Sequence, residues 1–421
     1  MPVEPPVVEL PAVDGPDFDG RPVDGRPVDG RPEVPRLQLR TPAAVDVFTR
    51  ILTHGPIGRI DVTRQTGLSQ AAVTKAVTPL IENGFIVVDG EQQSGLAPGR
   101  PVYPLRVVPD SLLAIGIKIT ADEVIGVATT MRAEIMYAVH LPVTDSGVGT
   151  IVAAVVSAAR SVQEALGAAS ARVAGIGVAV SGDVDRNRGV VRESTLLGWH
   201  DVALGRMLAA ELRAPILIEN DVRALTIAEQ WFGVGVDAGA FAIVTIGAGI
   251  GCGLYLNGDV VSGANGVAGE IGHLPLASQS IVCGCGRRGC VEAVASSSSI
   301  LAAVRAGEQN PRLSLHDAIE HARTGNPTAV AAFDRAASVI GTAIATMVNL
   351  VGPEIVLVAG ESVADFDLYE TRVREAFAEH AFGAAADTRI VTTTHTFDDW
   401  ARGAAAAVIR ATVRGEQMIA A

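Results

Sequence analysis

Ala44, Val47, Phe48, Ile51 and Leu52 recur at helical spacing between Pro42 and Thr53, which predicts a first amphipathic helix stopped by His54-Gly55-Pro56. A second, short helix is expected over Arg59 to Thr66, with Ile60 and Val62 available for burial. Gly67-Leu68 then turns the chain into Ser69, whose hydroxyl suits the N-cap of a third helix running to about Asn83. That helix puts Val73, Ala76, Val77, Leu80 and Ile81 on one face and Gln70, Ala71, Thr74, Lys75 and Thr78 on the other. Pro79 removes a backbone donor from its interior, so a kink is expected near residues 75–78. Two strands, residues 85–88 and 102–105, follow, joined by a polar, glycine-containing loop over 89–101.

Past Pro109 strands and helices alternate. Residues 112–119 and 123–129 read as strands, 149–166 as a helix, 173–180 as a buried strand, 203–212 as a helix and 216–219 as a strand. A second lobe begins near residue 225, with a strand over 242–246, a glycine loop, a helical stretch over 296–350 and a strand over 354–359. The alternation predicts an α/β body whose strand ends deliver polar residues to a cleft between two lobes.

The 421 residues, 48% hydrophobic, are enough for two or three domains with sizeable cores. No apolar run reaches the length a bilayer requires, and residues 1–36 lack the basic start and apolar core of an export signal. A cytoplasmic protein without membrane partners is expected, associated with the nucleoid when bound to DNA. Residues 1–36 repeat Asp-Gly-Arg-Pro from Asp19, Asp24 and Asp29 and are expected to form a disordered, low-complexity leader. Charge is uneven along the chain. Of the net −13, the leader carries −4, residues 37–110 carry +1 and the remainder −10, so only the small module is suited to meet phosphates.

Within that module the outer face of the third helix is short, polar or cationic, which lets it approach base edges in a major groove. Ser69, Gln70, Ala71, Thr74, Lys75 and Thr78 are the candidate DNA contacts there, with Arg59 in the preceding helix and Arg100 of Gly99-Arg100-Pro101 in the wing loop. Three helices and a hairpin also suit a protein-docking module, which stands as the alternative.

His273, Cys283, Cys285 and Cys290 form a Cys3His set in one short segment, the donor set that Zn2+ takes in closed structural sites. Gly284, Gly286 and Gly289 let the loop wrap one ion. A disulfide reading is weaker, because nothing in the sequence marks an exported chain.

These residues, flanked by Glu270 and Glu292 and preceded by Asn220-Asp221 at a strand end, resemble the ROK family of repressors, open reading frames and sugar kinases. The resemblance covers about residues 40–421 and is closest to the transcriptional-regulator branch. It implies an N-terminal winged helix-turn-helix domain over 37–108 and a two-lobed, actin-like, sugar-kinase-like ROK domain over 111–421, with a zinc knot within 273–290. It also implies that Asn220, Asp221, Glu270, His273 and Glu292 bind sugar, with His273 touching sugar through one nitrogen and zinc through the other. Carboxylates and an amide suit vicinal hydroxyls on chemical grounds alone. In kinases of the family the residue matching Asp221 is the base. Leu196, ahead of Gly198-Trp199, stands where kinases have an asparagine.

The kinases' Asp-x-Gly-Gly-Thr phosphate turn reads here Lys118-Ile119-Thr120-Ala121-Asp122, without either glycine. The second loop, residues 247–253, keeps its glycines but has Ala248 in place of a threonine, and Val358-Ala359-Gly360-Glu361 replaces a glycine run near the adenine. ATP is therefore not an expected cofactor, no catalytic residue is expected, and Asp221 is read as a vestigial base. The expectation is a homodimeric or homotetrameric, sugar-responsive repressor of carbohydrate genes that binds operator DNA and a sugar or sugar-derivative effector. The alternatives are an ATP-dependent sugar kinase, glucokinase-like or N-acetylhexosamine kinase-like, carrying a DNA-binding domain, and a body that docks a protein partner.

Overall fold

The computed structural model describes residues 36–89 and 103–420. Residues 1–35 of the leader, residues 90–102 with Arg100, and Ala421 lie outside the described residues. Helices α1 (Pro42–His54), α2 (Arg59–Thr66) and α3 (Gln70–Glu82) pack around Val47, Phe48, Ile51, Leu52, Val62, Val73 and Val77, all 1% exposed or less. Burying each such side chain is worth roughly 1.5–3 kcal/mol. Thr41 and Ser69 cap α1 and α3 by accepting from the amides of Ala44 (3.1 Å) and Ala72 (3.2 Å). The single left-handed residue Gly67, φ +68°, turns α2 into α3.

Three details differ from the sequence expectation. Ile60 stays 63% exposed, leaving Val62 as the buried residue of α2. The hairpin pairs β1 (Ile86–Val88) with β2 (Leu105–Val107), so the second strand lies later than residues 102–105. Its alternation explains the shift: Leu105 and Val107 point inward around an exposed Arg106, whereas Pro104 has no amide to give a ladder. Helix α3 continues uninterrupted through Pro79, whose ring lies on the exposed side.

The body contains two five-stranded sheets of one design. In the first, β3 (Leu113–Ile119), β4 (Glu123–Thr129) and β5 (Ile135–Pro142) form an antiparallel meander. Helix α4 (Val148–Leu166) leads to β6 (Val173–Val180), parallel to β3. A small sheet of β7 (Asp183–Asp185), β8 (Val190–Ser194) and β9 (Trp199–Val202), then α5 (Leu204–Leu212), lead to β10 (Ile216–Asn220), parallel to β6. The interlobe helix α6 (Asp221–Phe232) begins where β10 ends.

The second sheet repeats the order. A meander of β11 (Ala240–Ile246), β12 (Ile250–Leu256) and β13 (Asp259–Val260) is extended by two further parallel strands. After helices α7 (Glu292–Ala295), α8 (Ser297–Glu308), α9 (Leu315–Arg323) and α10 (Pro327–Val351) comes β14 (Ile355–Ala359), parallel to β11. Helix α11 (Glu370–His380) precedes β15 (Arg389–Thr392), parallel to β14.

The last helix, α12 (Phe397–Arg414), returns to the first lobe and packs on β3, β6 and α6. Contact there is backbone to backbone: a Cβ at Gly116 would stand 1.9 Å from the Ala401 carbonyl oxygen. Two helical segments, Val148–Arg172 and Pro327–Val351, do reach the length and apolarity of a membrane span, against the expectation of none. Both are built into the lobes' cores, with Ile151 and Val155 of α4, and Phe333 and Ile344 of α10, buried.

Candidate sugar cleft, metal knot and nucleic-acid face

At the end of β10, Asn220 both ends a strand and caps a helix. Its Oδ1 accepts from the Arg223 amide at 3.1 Å and its Nδ2 donates to the Gly182 carbonyl at 3.0 Å. The side chain is thereby fixed, with one amide hydrogen and one lone pair left for a ligand. Asp221, 7% exposed, opens α6. Its Oδ1 accepts from the Val222 amide at 2.9 Å, and its Oδ2 accepts from the ammonium of Lys118 at 2.5 Å. Lys118, 5% exposed on β3, also lies 5.1 Å from the centre of the Trp400 ring. Lys118, which sequence alone marks only as a charge within an apolar strand, is thus the buried ion-pair partner of Asp221.

Glu270 is half-exposed. Burial of its carboxyl pushes it above the usual carboxylate range; the His273 charge opposes this, and the charges of Glu292, Asp183 and Asp221 add to it. Glu292, Asp183 and Asp221 are thus near enough to Glu270 for their charges to act on it. Glu292, at the start of α7, accepts from the Ile250 amide at 3.1 Å. Asp183 and Asp185, from the small sheet, each accept from Arg192 at 2.9 Å. Sequence reading passed over Asp183, Arg192 and the Lys118–Asp221 pair. A charged Lys118 inside an otherwise apolar strand was the available signal.

The imidazole of His273 stands between cleft and knot: Nε2 lies 4.0 Å from Glu270 Oε2, and Nδ1 lies 3.9 Å from Cys283 Sγ. The donor atoms of His273, Cys283, Cys285 and Cys290 lie within 4.8 Å of one another. A tetrahedral zinc with bonds of about 2.3 Å to sulfur separates two thiolates by about 3.8 Å, and Cys285 and Cys290 are 3.8 Å apart. The donor set and spacing fit a four-coordinate metal. Cys252 is separate, buried in β12 with its thiol pushed up to about 12 by burial and the charge of Glu270.

The second glycine loop is not one loop. Residues 247–249 form the turn between β11 and β12, while Gly251 and Gly253 lie within β12. A Cβ on either would strike α6, 2.6 Å from Val222 and 1.8 Å from Thr226. These glycines therefore serve interlobe packing. In the turn itself, Glu361 Oε1 accepts from the Ala248 amide at 2.6 Å.

On the N-terminal module the structure leaves Ser69, Gln70, Ala71, Thr74, Lys75 and Thr78 exposed along one face of α3, and Arg59 half-buried in α2.

Residues 114–411 match the ROK family. A xylose repressor of Caldicellulosiruptor bescii is 25% identical over 350 residues, covering 80% of this chain and 87% of that protein. The DNA-binding transcriptional dual regulator NagC of Escherichia coli is 27% identical over 325 residues, 75% of this chain and 79% of that one. A glucokinase of Thermotoga maritima is 30% identical over 254 residues, 57% of this chain and 80% of the enzyme. In fold, the chain superposes on a ROK family transcriptional regulator homologous to E. coli Mlc with TM-score 0.75 and 24% identity, covering 89% of this chain and 96% of that one.

Proposed function

The chain belongs to the ROK family, and on that footing we propose that it is a sugar-responsive transcriptional repressor of carbohydrate genes. The observation that carries the non-enzymatic reading is the buried Lys118–Asp221 pair: both carboxylate oxygens of the would-be base already accept hydrogen bonds. Asn220, Asp221, Glu270, His273 and Glu292 are the sugar ligands. His273, Cys283, Cys285 and Cys290 hold a structural zinc that fixes the His273 ring, with Nδ1 toward the metal and Nε2 toward the cleft. Operator DNA meets Arg59 and the exposed face of α3 with Arg100, and two-fold pairing of chains as a homodimer or homotetramer matches a palindromic site in the nucleoid. Sugar acts as a signal because it binds the open and closed lobe arrangements unequally.

The test uses the full chain. Calorimetry with a panel of hexoses, pentoses and N-acetylhexosamines is paired with binding to DNA selected from a random library. Sugar binding that alters DNA affinity, lost in Glu270→Gln while DNA binding persists, supports the sensor. ADP release from Mg-ATP that depends on Asp221 would overturn it in favour of a sugar kinase. Lys75→Ala is expected to weaken DNA binding across sequences and flatten its salt dependence, and Gln70→Ala to cost about 1–3 kcal/mol on the selected site.

A further inference from the structure

We propose that the cleft takes an uncharged sugar and rejects phosphorylated ones, because Glu361 occupies the glycine turn that would otherwise receive a phosphate. The proposal rests on the sensor reading for its ligand and on this chain's own side chains for its charge preference.

A glycine turn with outward amides is an anion site, since bare backbone N–H groups can converge on phosphate oxygens. Here the turn at residues 247–249 already holds anions from the chain. Glu361 Oε1 accepts from the Ala248 amide at 2.6 Å, and its carboxyl lies so close that a Cβ on Gly247 would stand 2.0 Å from its Cδ. On the other side Glu292, one of the proposed sugar ligands, accepts from the Ile250 amide at 3.1 Å. The turn adjoins the proposed sugar set through Glu292, so a phosphate that a bound sugar directs toward this turn meets both carboxylates.

Two basic groups near the cleft are committed. Lys118 pairs with Asp221 and Arg192 with Asp183 and Asp185. The cavity on which Glu361 borders, about 210 Å³, is lined by none of the proposed sugar ligands; Leu315, Ile319, Phe333 and Tyr369 wall it with Glu361 and Asp365 as its charged members, and among the described residues no basic side chain lines it. A phosphate entering this space would lose its hydration and gain no cation, at like-charge repulsion from several carboxylates. A neutral sugar needs only acceptors and donors, which the set supplies. Glu361 is in this sense a specificity-determining residue that acts by repulsion.

The experiment is calorimetry on the full chain with matched pairs, glucose against glucose 6-phosphate and N-acetylglucosamine against its 6-phosphate, and with pyrophosphate as a probe of the turn. The neutral member is expected to bind at least about tenfold more tightly. Wild type is expected to bind pyrophosphate at least about tenfold more weakly than Glu361→Gly, and Glu361→Gln, which keeps the hydrogen bond without the charge, to fall between. Neutral-sugar affinity is expected to stay within about twofold in both variants. Equal or tighter binding of the phosphorylated member, or pyrophosphate bound by wild type as tightly as by Glu361→Gly, overturns the proposal. If no sugar of either kind binds, the sensor reading falls and the effector class with it, and the pyrophosphate arm still decides the role of Glu361.

Discussion

Arg132 reaches from the turn between β4 and β5 to the end of α1, where its Nη1 donates to the carbonyl of Leu52 at 3.1 Å. The same nitrogen lies 3.3 Å from the carbonyl of Gly55, and from the other lobe Asp237 lies 3.0 Å from His54 Nε2. The last turn of α1 is therefore gripped by both lobes of the body. A charged donor satisfies C-terminal helix carbonyls well, and a change in the angle between lobes would pull on this helix end from two sides.

Arg132→Ala is expected to loosen that grip. Charge-assisted hydrogen bonds contribute about 1.5–3 kcal/mol, so amide exchange at residues 52–55 and 57 should quicken by about tenfold or more while sugar affinity is unchanged. Under the repressor reading, the effect of sugar on DNA binding shrinks as well. Unaltered exchange at the α1 terminus would remove this contact from any coupling between module and body.

The Lys118–Asp221 pair predicts an asymmetric mutational response. Both side chains are about nine-tenths buried, and removing one partner leaves a buried charge uncompensated. Lys118→Met should therefore cost about 3–5 kcal/mol in urea unfolding, and the Lys118→Met, Asp221→Leu double variant should recover much of it. A loss under about 0.5 kcal/mol for Lys118→Met would mean that the pair is solvated and carries no such weight.

For the metal knot, the expected stoichiometry is one zinc per chain by elemental analysis. Cys283→Ser, Cys285→Ser or Cys290→Ser should each lose the metal, and chelation of the wild type should lower its melting temperature. The effect should reach the cleft through His273, so sugar affinity is expected to fall with the metal. Metal-free protein with unchanged stability would sink the structural role.

Acid should weaken one buried contact in particular. Burial pushes the Glu229 carboxyl up, but hydrogen bonds from His395 (3.2 Å) and the Val234 amide (3.1 Å) and the charges of His395 and Arg402 outweigh it, leaving the group below its ordinary 4.5. A carboxyl depressed in the folded state contributes stability that is present above 4.5 and is lost as pH falls through its lower folded value. Glu229→Gln should therefore be least stable relative to wild type near neutrality, and the difference should shrink as pH falls below 4.5 and through the lower folded value. A stability difference that stays constant from pH 7 to about pH 3 would contradict this.

Much of the molecule was legible along the chain, and the parts that were share a property. The helices of the N-terminal module, the Ser69 cap and the knot from His273 to Cys290 are written in contiguous residues at fixed periods or spacings. Helix period, capping and metal geometry act over a few residues, so neighbours in sequence suffice to specify them. Strand β5 escaped because Ile135–Pro142 is partly exposed on both faces and shows no clean alternation, and α12 because the run Gly403–Ala407 at its centre is uniformly small and buried and shows no period of its own.

The charge relations of the cleft belong to the tertiary structure. Lys118 and Asp221 are 103 residues apart and Ala248 and Glu361 are 113 apart, and nothing local to either partner names the other. The same holds for Gly251 and Gly253, which look like a phosphate loop in sequence and prove to be the seat of α6. Residues so distant meet only when whole lobes have packed, and the repeated sheet topology and the return of α12 are what bring them together. Sequence spacing therefore settled which chemical groups this chain carries, while packing between elements settled which of those groups remain available to a ligand.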